Sequence, residues 1–202
     1  MLRWINPPQG AKVLLGASTW PGEDEILLGI YSRLVSGDAA KNTLLVIAPR
    51  HFEKADEVEK NILDAGFGCI RRSRRGSGDR IVPGAPTVYL ADTTGELMGL
   101  CGAADVVFVG KSLSAHGSQN MIEPCCCGKA VIVGPYTENF RPVMSDLMSA
   151  EALVQVSDAD SLEEKIRTFL DDDGGLGARA VAAVERRKGV VAKCVAAIRG
   201  RL

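Results

Sequence analysis

The stretch from Val106 to Gly128, VVFVGKSLSAHGSQNMIEPCCCG, contains the pattern on which the fold of this protein depends. Its first four residues are all apolar, which predicts a strand that is covered on both faces, as in a parallel sheet. A polar loop with glycines follows, and Met121–Cys127 is predicted to be a helix that ends at Gly128. Strand, loop and helix in this order are the repeating unit of an α/β fold.

The same alternation extends in both directions along the chain. The predicted strands are Lys12–Ala17, Thr43–Ala48, Gly68–Arg71, Thr87–Ala91, Val106–Val109, Ala130–Val133 and Leu153–Val156. The predicted helices are Glu23–Ser36, Glu53–Ala65, Gly95–Ala104, Met121–Cys127, Pro142–Ala150, Ser161–Leu170 and a long C-terminal helix over Leu176–Leu202. Several strands are continuous apolar runs, so we expect an α/β fold with a doubly wound, Rossmann-like parallel sheet. Residues 1–175 would form this domain and residues 176–202 the C-terminal helix.

Composition and charge argue against several classes of protein. The 202 residues include 24 Lys and Arg against 25 Asp and Glu, a formal net charge of −1, and only 5% are aromatic. Neither value favours binding to nucleic acid or to an anionic membrane surface. No apolar run approaches the roughly 18 residues of a membrane span. The first residues, Met1 to Lys12, lack the apolar centre of a signal peptide, so a cytoplasmic protein is expected.

The six cysteines are expected to be reduced thiols in that compartment. Three of them are consecutive, Cys125 to Cys127, which is not a zinc-binding spacing, and no CxxC pair occurs. Buried helix residues are the favoured interpretation, with a redox or metal role as the alternative. His51 and His116 are the only histidines, so a multi-histidine metal site is not expected.

Polar residues follow the first two predicted strands, at the edge where open α/β sheets bind their ligands. Ser18 and Thr19 follow the first strand, and each would either cap the next helix or present a hydroxyl near a phosphate. Pro49, Arg50 and His51 follow the second strand. Arginine suits a bidentate contact with phosphate, and an Arg and His pair that only faces solvent is the alternative.

The segments after the fourth and fifth strands are also polar. The segment Asp92–Leu97 has the sequence DTTGEL. Taken alone, this motif indicates only a capped helix, with Asp92 or Thr93 as the cap. Glu123 lies one turn into the helix after the fifth strand, where a carboxylate either accepts hydrogen bonds from ribose hydroxyls or serves as a cap. The chain has no GxGxxG fingerprint and no GxxxxGK[ST] loop, so NAD enzymes and P-loop NTPases are poor fits.

Taken in order, these segments resemble the C-terminal half of the 3-deoxy-D-manno-octulosonic acid (Kdo) transferases, which are GT-B glycosyltransferases of lipopolysaccharide biosynthesis. The stretches that carry the resemblance are Ala17-Ser18-Thr19, Ala48-Pro49-Arg50-His51, Asp92-Thr93-Thr94-Gly95-Glu96-Leu97, Ser112-Leu113, His116-Gly117, Asn120-Met121-Ile122-Glu123-Pro124, Gly134-Pro135 and Asn139-Phe140. They cover about Val13 to Val156. The resemblance implies one half of a GT-B fold and, within it, a donor site for CMP-Kdo.

The resemblance also implies, by position, which residues contact the donor. These are Pro49, Arg50, Gly95, Glu96, Leu97, Asn120, Met121, Ile122 and Glu123, with Ser18, Thr19, His116, Gly117 and Gln119 as further donor-site residues. Arg50 would lie near the phosphate and Glu123 on the ribose. The metal-free, inverting transfer of the family implies that no cofactor and no metal ion are needed.

Two positions depart from the family's pattern. Gln119 stands where the family commonly has histidine, and glutamine neither titrates nor carries a positive charge. Lys111 stands where the family frequently has glycine, and it adds a charge near the site. Both departures are expected to alter sugar recognition. Ser73–Arg80 resembles extra loop length, and its arginines are expected to form a solvated face.

The N-terminal domain of the family binds the lipid A precursor and carries the glutamate that serves as catalytic base, so no catalytic residue is expected in this chain. We expect the chain to bind the donor and to need the missing acceptor domain or a partner polypeptide for transfer, as a fragment, a split-enzyme half or a relic. That domain would bring it to the inner face of the plasma membrane. The alternatives are a non-catalytic CMP-sugar-binding module and another GT-B enzyme that uses a UDP-sugar.

Overall fold

The computed structural model describes residues 10–37, 42–74 and 86–187, which contain seven strands and seven α-helices. The strands are β1 (Lys12–Thr19), β2 (Thr43–Pro49), β3 (Gly68–Arg71), β4 (Thr87–Leu90), β5 (Val106–Val109), β6 (Ala130–Val133) and β7 (Val154–Gln155). The helices are α1 (Glu23–Val35), α2 (Ala55–Asp64), α3 (Leu97–Ala103), α4 (Ile122–Cys126), α5 (Arg141–Ser149), α6 (Ala159–Asp171) and α7 (Leu176–Glu185). None of these helices combines the length and the hydropathy that crossing a bilayer requires.

The seven strands form one sheet in the order β3-β4-β2-β1-β5-β6-β7, and every neighbouring pair is parallel. Helices α1, α2 and α6 cover one face, and α3, α4, α5 and most of α7 cover the other. The predicted doubly wound α/β fold is therefore confirmed. The apolar runs explain why, since a strand with helices on both sides buries all its side chains.

The central strands separate two apolar layers. All four residues of β5 are at most 1% exposed. Along β1, Leu14 packs into the layer with α1, and Leu15 packs into the layer with α3 and α4. Successive side chains of a strand point to opposite faces, so a wholly apolar strand serves both layers.

The order of the strands creates a crevice at the carboxyl end of β1. From β1 the chain builds β2, β3 and β4 on one side, and then returns to place β5 on the other side of β1. Helices that follow β1 and β5 therefore lie on opposite faces, which leaves a gap above the two strand ends. Ligand-binding residues are expected in this gap.

Two helices begin two residues later than predicted. The segment predicted as a helix over Glu53–Ala65 begins with a 3-10 turn at Phe52–Lys54, and α2 starts only at Ala55. The helix predicted to start at Gly95 starts at Leu97, because Gly95 has a left-handed φ of 82° that no helix accepts.

The C-terminal helix is confirmed in part. Helix α7 covers Leu176–Glu185 and ends there, with Arg186 as its C-cap, so the prediction is wrong for residues 186–187; residues 188–202 lie outside the described residues. Gly177 approaches Gly128 so closely that a Cβ atom at Gly177 would lie 2.2 Å from the carbonyl oxygen of Gly128. Helix α7 is therefore packed on the end of α4, and the division between residues 1–175 and 176–202 stays a prediction.

Arg74, the described arginine of the expected solvated face, is partly exposed and forms ion pairs at the surface. Its guanidinium donates to Asp56 Oδ1 at 2.8 Å and to Glu59 Oε2 at 3.0 Å, both on α2. Residues 75–85, the remainder of the predicted Gly- and Arg-rich loop, lie outside the described residues.

The five cysteines within the described residues are free thiols. Cys69, Cys101 and Cys125 are buried, but Cys69 is on strand β3, and Cys126 is exposed on α4. Burial raises the pKa of Cys101 and of Cys125 to about 12, so both thiols stay protonated near neutral pH. Within the run Cys125–Cys127, the expectation of buried helix residues is confirmed for Cys125 and wrong for the exposed Cys126. No group of three or more potential metal ligands occurs in the described part of the chain.

Candidate functional site

Two adjoining cavities lie above the carboxyl ends of β1, β2 and β4. The larger one has a volume of about 380 Å³, and the smaller one about 220 Å³. Ser18, Arg50 and Leu97 line both, so the two cavities form one cleft, called the central cleft below. Its size is within the range of small-ligand sites, roughly 300–1,000 Å³.

The floor of the central cleft is built from closely packed backbone. Ser18 has a left-handed φ of 54° and lies where the pairing of β1 with β2 shifts between Ala17 and Thr19. A Cβ atom at Gly110, just after β5, would lie only 2.3 Å from the carbonyl oxygen of Ser18. Glycine at position 110 therefore lets the ends of β1 and β5 meet, and it allows Ser18 to adopt a conformation that most residues avoid.

Arg50 supplies the positive charge of the central cleft. Its backbone N–H donates to the Thr19 carbonyl at 3.0 Å, which fixes the position of its backbone beside β1. Its guanidinium has no hydrogen-bond or ion-pair partner among the residues that the structure describes. His51 is different, because its Nδ1 lies 3.0 Å from Glu53 Oε1 and its ring packs edge-on against Trp20. Arg50 is thus the residue here that can neutralise an anion.

Glu123 enters the smaller cavity in a defined orientation. Asn120 donates from Nδ2 to Glu123 Oε1 at 3.0 Å and accepts with Oδ1 from the Ile122 N–H at 3.0 Å. The carboxylate is held at one oxygen, and its other oxygen has no partner among the described residues. Gln119 lines the same cavity, while Met121 is fully buried in the core and does not line it.

The segment after β4 contributes Gly95 and Leu97 to the larger cavity. The Glu96 carboxylate is already engaged, because it accepts from Arg72 Nε and Nη2 at 3.0–3.2 Å and from the Thr93 hydroxyl. These hydrogen bonds, first that from Arg72, hold the pKa of Glu96 below its usual value. The Glu96 carboxylate is therefore bound within the segment and does not line the central cleft.

Asp92 is not the helix cap that the sequence suggested. Its carboxylate accepts from Arg71 Nε and from the Ser73 N–H and hydroxyl, with distances from 2.5 to 2.9 Å. Burial by itself would raise the pKa of Asp92, but the hydrogen bonds from Ser73 and Arg71 outweigh it and lower the pKa. No side chain caps α3.

Six of the predicted site residues line neither cavity. His116 is held by Glu138, with 2.8 Å between His116 Nδ1 and Glu138 Oε1, and the Gly117 N–H donates to Glu138 Oε2 at 3.0 Å. Thr19 is buried and lines a separate cavity of about 110 Å³ together with Trp20. The structure thus gathers Ser18, Pro49, Arg50, Gly95, Leu97, Gln119, Asn120 and Glu123 in the central cleft. It does not bring Thr19, Glu96, His116, Gly117, Met121 or Ile122 into its lining.

Sequence reasoning missed Glu23, the first residue of α1. The helix cap is Gly22, with φ 89° and no side-chain hydrogen bond, so the expectation that Ser18 or Thr19 caps α1 is wrong. Glu23 is fully buried, and its carboxylate accepts from the backbone N–H groups of residues 111–114. An acidic first turn was visible in the sequence, but nothing in it indicated a partner segment so far along the chain.

The curated relatives that the chain matches include several Kdo transferases. No protein-family model matches the chain. The chain is 40% identical over 164 residues to the 3-deoxy-D-manno-octulosonic acid transferase of Bordetella pertussis, covering 80% of this chain and 36% of that protein. It is 36% identical over 165 residues to the enzyme of the same name from Haemophilus influenzae, covering 81% of this chain and 37% of that protein. The chain therefore spans little more than a third of these relatives.

Solved structures show the same fold. The C-terminal CMP-Kdo binding domain of WaaA from Acinetobacter baumannii is 27% identical, with a TM-score of 0.74 over 86% of this chain and 89% of that one. The Anabaena protein HepE, crystallised with UDP, has a TM-score of 0.61 at 16% identity, over 95% of this chain and 49% of that one. The structural neighbours are GT-B glycosyltransferase domains, so the chain has the fold of one half of such an enzyme.

Proposed function

Since this chain is a homologue of the C-terminal part of the Kdo transferases, we propose that it is a donor-binding domain for CMP-Kdo. In this role it would present the activated sugar for transfer to a lipid A precursor in lipopolysaccharide biosynthesis. An N-terminal acceptor domain would bind the acceptor and carry the general base. That domain would also bring the protein to the inner face of the plasma membrane.

The observation that carries the proposal is that a cationic and an anionic side chain line the same cavity. Arg50 and Glu123 both line the smaller part of the central cleft, and each retains hydrogen-bonding capacity towards it. A nucleoside monophosphate linked to a sugar needs one cation for its phosphate and one acceptor for its ribose hydroxyls. Arginine offers a fork of donors that matches phosphate oxygens, and a carboxylate accepts from two vicinal hydroxyls.

The transfer step itself breaks the bond between the anomeric carbon of the sugar and a phosphate oxygen of CMP. The electron pair stays on that oxygen, so negative charge grows on the departing CMP. Arg50 would stabilise this charge in place, as preorganised cations do in such reactions. The acceptor hydroxyl attacks the anomeric carbon from the opposite side and loses its proton to the base of the acceptor domain. The described residues support a reaction without a metal ion, because Arg50 supplies the charge that a cation would otherwise bring.

The remaining predicted donor contacts have different roles in this proposal. Gly95 and Leu97 form part of the wall of the larger cavity and would contact the nucleotide there. Glu96 would act indirectly, because Arg72 and Thr93 occupy its carboxylate. Thr19, His116, Gly117, Met121 and Ile122 stay predictions as donor-site residues.

A calorimetric titration of the purified chain with CMP, UDP and ADP tests the proposal. We expect CMP to bind most tightly, whereas a preference for UDP would assign the cleft to another GT-B family, and no binding of CMP would refute the donor role of this chain. Arg50→Lys should weaken CMP binding about tenfold or more, because a point charge cannot replace a bidentate fork. Arg167→Lys, on the exposed face of α6, is the matched control and should bind as the unmodified chain does.

A further inference from the structure

The carboxylate of Glu23 is fully buried and is surrounded by backbone donors. Its Oε2 accepts from the N–H groups of Trp20 and Lys111, both at 2.8 Å. Its Oε1 accepts from the next three N–H groups of the same loop, Ser112 at 3.2 Å, Leu113 at 3.1 Å and Ser114 at 3.3 Å. Four consecutive amides of the loop after β5 thus point at one side chain of α1.

This arrangement explains how a buried charge is tolerated without a cation. No ion pair among the described residues includes Glu23, and an unpaired buried carboxylate is costly unless hydrogen bonds replace its water shell. Five N–H groups supply that replacement, and the N-terminus of α1 adds the favourable end of its helix dipole. Successive N–H groups that converge in this way form a typical anion-binding concavity, which here holds a side chain. A ligand phosphate cannot occupy the same place.

The loop held by Glu23 leads directly into the central cleft. Lys111 has a left-handed φ of 55°, and its carbonyl accepts from the Ser118 N–H at 2.9 Å. The Gly110 carbonyl accepts from the Gln119 N–H at 3.0 Å, so residues 110 and 111 fix the return of the chain to the cleft. Asn120 and Glu123 follow immediately. The position of the nucleotide-facing residues therefore depends on a loop whose start is clamped by Glu23.

We propose that Glu23 is a positioning residue of the nucleotide site: its carboxylate holds residues 111–114 in the conformation that places Gln119, Asn120 and Glu123 in the central cleft. The proposal rests on the proposed function for the identity of the ligand. The clamp itself is independent of any ligand.

Because the Glu23 carboxylate only accepts hydrogen bonds, replacing one of its oxygens with a donor tests whether it holds residues 111–114. Glu23→Gln has nearly the same shape, but its amide NH₂ is a donor and would face backbone N–H donors. Glu25→Gln is the matched control, because it makes the same charge change in the same helical turn, where Glu25 is exposed and accepts from Asn61 Nδ2 at 3.2 Å. Ile166→Val, in the buried face of α6, is a second control for a general loss of stability.

Two measurements on the same samples test the proposal. Hydrogen exchange of the amides of residues 111–114 reports the clamp, and CMP titration at a temperature where every variant is folded reports the site. We expect Glu23→Gln to accelerate the exchange at least tenfold and to weaken CMP binding at least tenfold. Glu25→Gln and Ile166→Val should leave CMP affinity within about twofold of that of the unmodified chain. Glu23→Asp, which keeps the acceptor-only carboxylate, should lie between Glu23→Gln and the unmodified chain.

The outcomes separate this inference from the proposed function. Unchanged exchange in Glu23→Gln would overturn the clamp. Faster exchange with unchanged CMP affinity would overturn the positioning role and leave Glu23 as a structural residue. If the unmodified chain binds no CMP, the proposed function fails, and the exchange rates of Glu23→Gln and Glu25→Gln alone decide whether Glu23 holds the loop.

Discussion

Replacing Gly110 with alanine tests the close contact on which the floor of the central cleft depends. The added methyl carbon would lie 2.3 Å from the Ser18 carbonyl oxygen and 2.6 Å from the Thr19 Cα. Non-bonded atoms need a separation of about 3.5 Å, so the ends of β1 and β5 would have to part by roughly 1 Å. Gly110 has no left-handed φ, and the effect of Gly110→Ala is therefore purely steric.

The magnitude follows from what must move. Overpacking a core costs about 1–3 kcal/mol, and here the clashing atoms belong to backbone that cannot change rotamer. The β1 and β5 ends are also joined by the hydrogen bond from the Gly110 N–H to the Ala17 carbonyl at 2.9 Å. We therefore expect the upper end, about 3 kcal/mol, which for a protein of this size lowers the unfolding midpoint by roughly 6–12 °C.

Thermal and urea unfolding followed by circular dichroism measure this loss. Gly102→Ala is the matched control, because a Cβ atom at Gly102 meets nothing within 4 Å and the residue lies in helix α3. That variant should gain about 0.5–1 kcal/mol, since alanine loses less backbone entropy than glycine in a helix. Gly110→Ala should also bind CMP more weakly, because Ser18 lines both cavities. Equal stability of Gly110→Ala and the unmodified chain, within about 0.5 kcal/mol, would refute the steric argument.

Three further predictions concern individual side chains. Glu123→Ala should weaken CMP binding by about 1–3 kcal/mol if its carboxylate accepts from the ribose, and unchanged affinity in a folded variant would remove that role. Asp92→Asn should cost about 2 kcal/mol of unfolding free energy, against under about 1 kcal/mol for Asp146→Asn in an exposed ion pair. Because the folded-state pKa of Asp92 is lowered, its contribution is present above the unfolded value of about 3.9 and is lost as the pH falls through the folded value. The difference in unfolding free energy between Asp92→Asn and the unmodified chain, measured by urea titration, should therefore shrink as the pH falls below about 3.9, and a constant difference would contradict the assignment. Iodoacetamide should label Cys126 faster than Cys125, which is buried with a raised pKa, and peptide mass spectrometry that finds the reverse order would count against the orientation of α4.

The strands were predictable to within two residues because burial on both faces leaves a local trace. An apolar run such as Ala130–Val133 needs no partner to be recognised, and the observed β6 has the same bounds. The late starts of α2 and α3, each two residues after the predicted start, were not predictable in this way. Both depend on local backbone conformation, and the left-handed Gly95 is compatible with several turns.

The position of Arg50 and Glu123 at the sheet edge also followed from the sequence, because each comes just after a strand or opens the following helix. What their side chains do there did not follow. Glu96 comes from an equally suggestive motif, yet Arg72 holds its carboxylate away from the cleft. Asp92 resembled a cap and is bound instead by Arg71 on a neighbouring strand.

The sequence by itself determined the order of strands and helices, the parallel sheet and the edge at which the polar loops gather, because these depend on patterns of neighbouring residues. Only the tertiary structure decided which polar groups face the central cleft and which form hydrogen bonds with other residues of the protein. The physical reason is that a buried carboxylate takes its hydrogen bonds from whatever donors the fold brings near. For Glu23 one donor, the Trp20 N–H, is local, but the other four come from residues 111–114, at least 88 residues away, a distance across which no local pattern reaches.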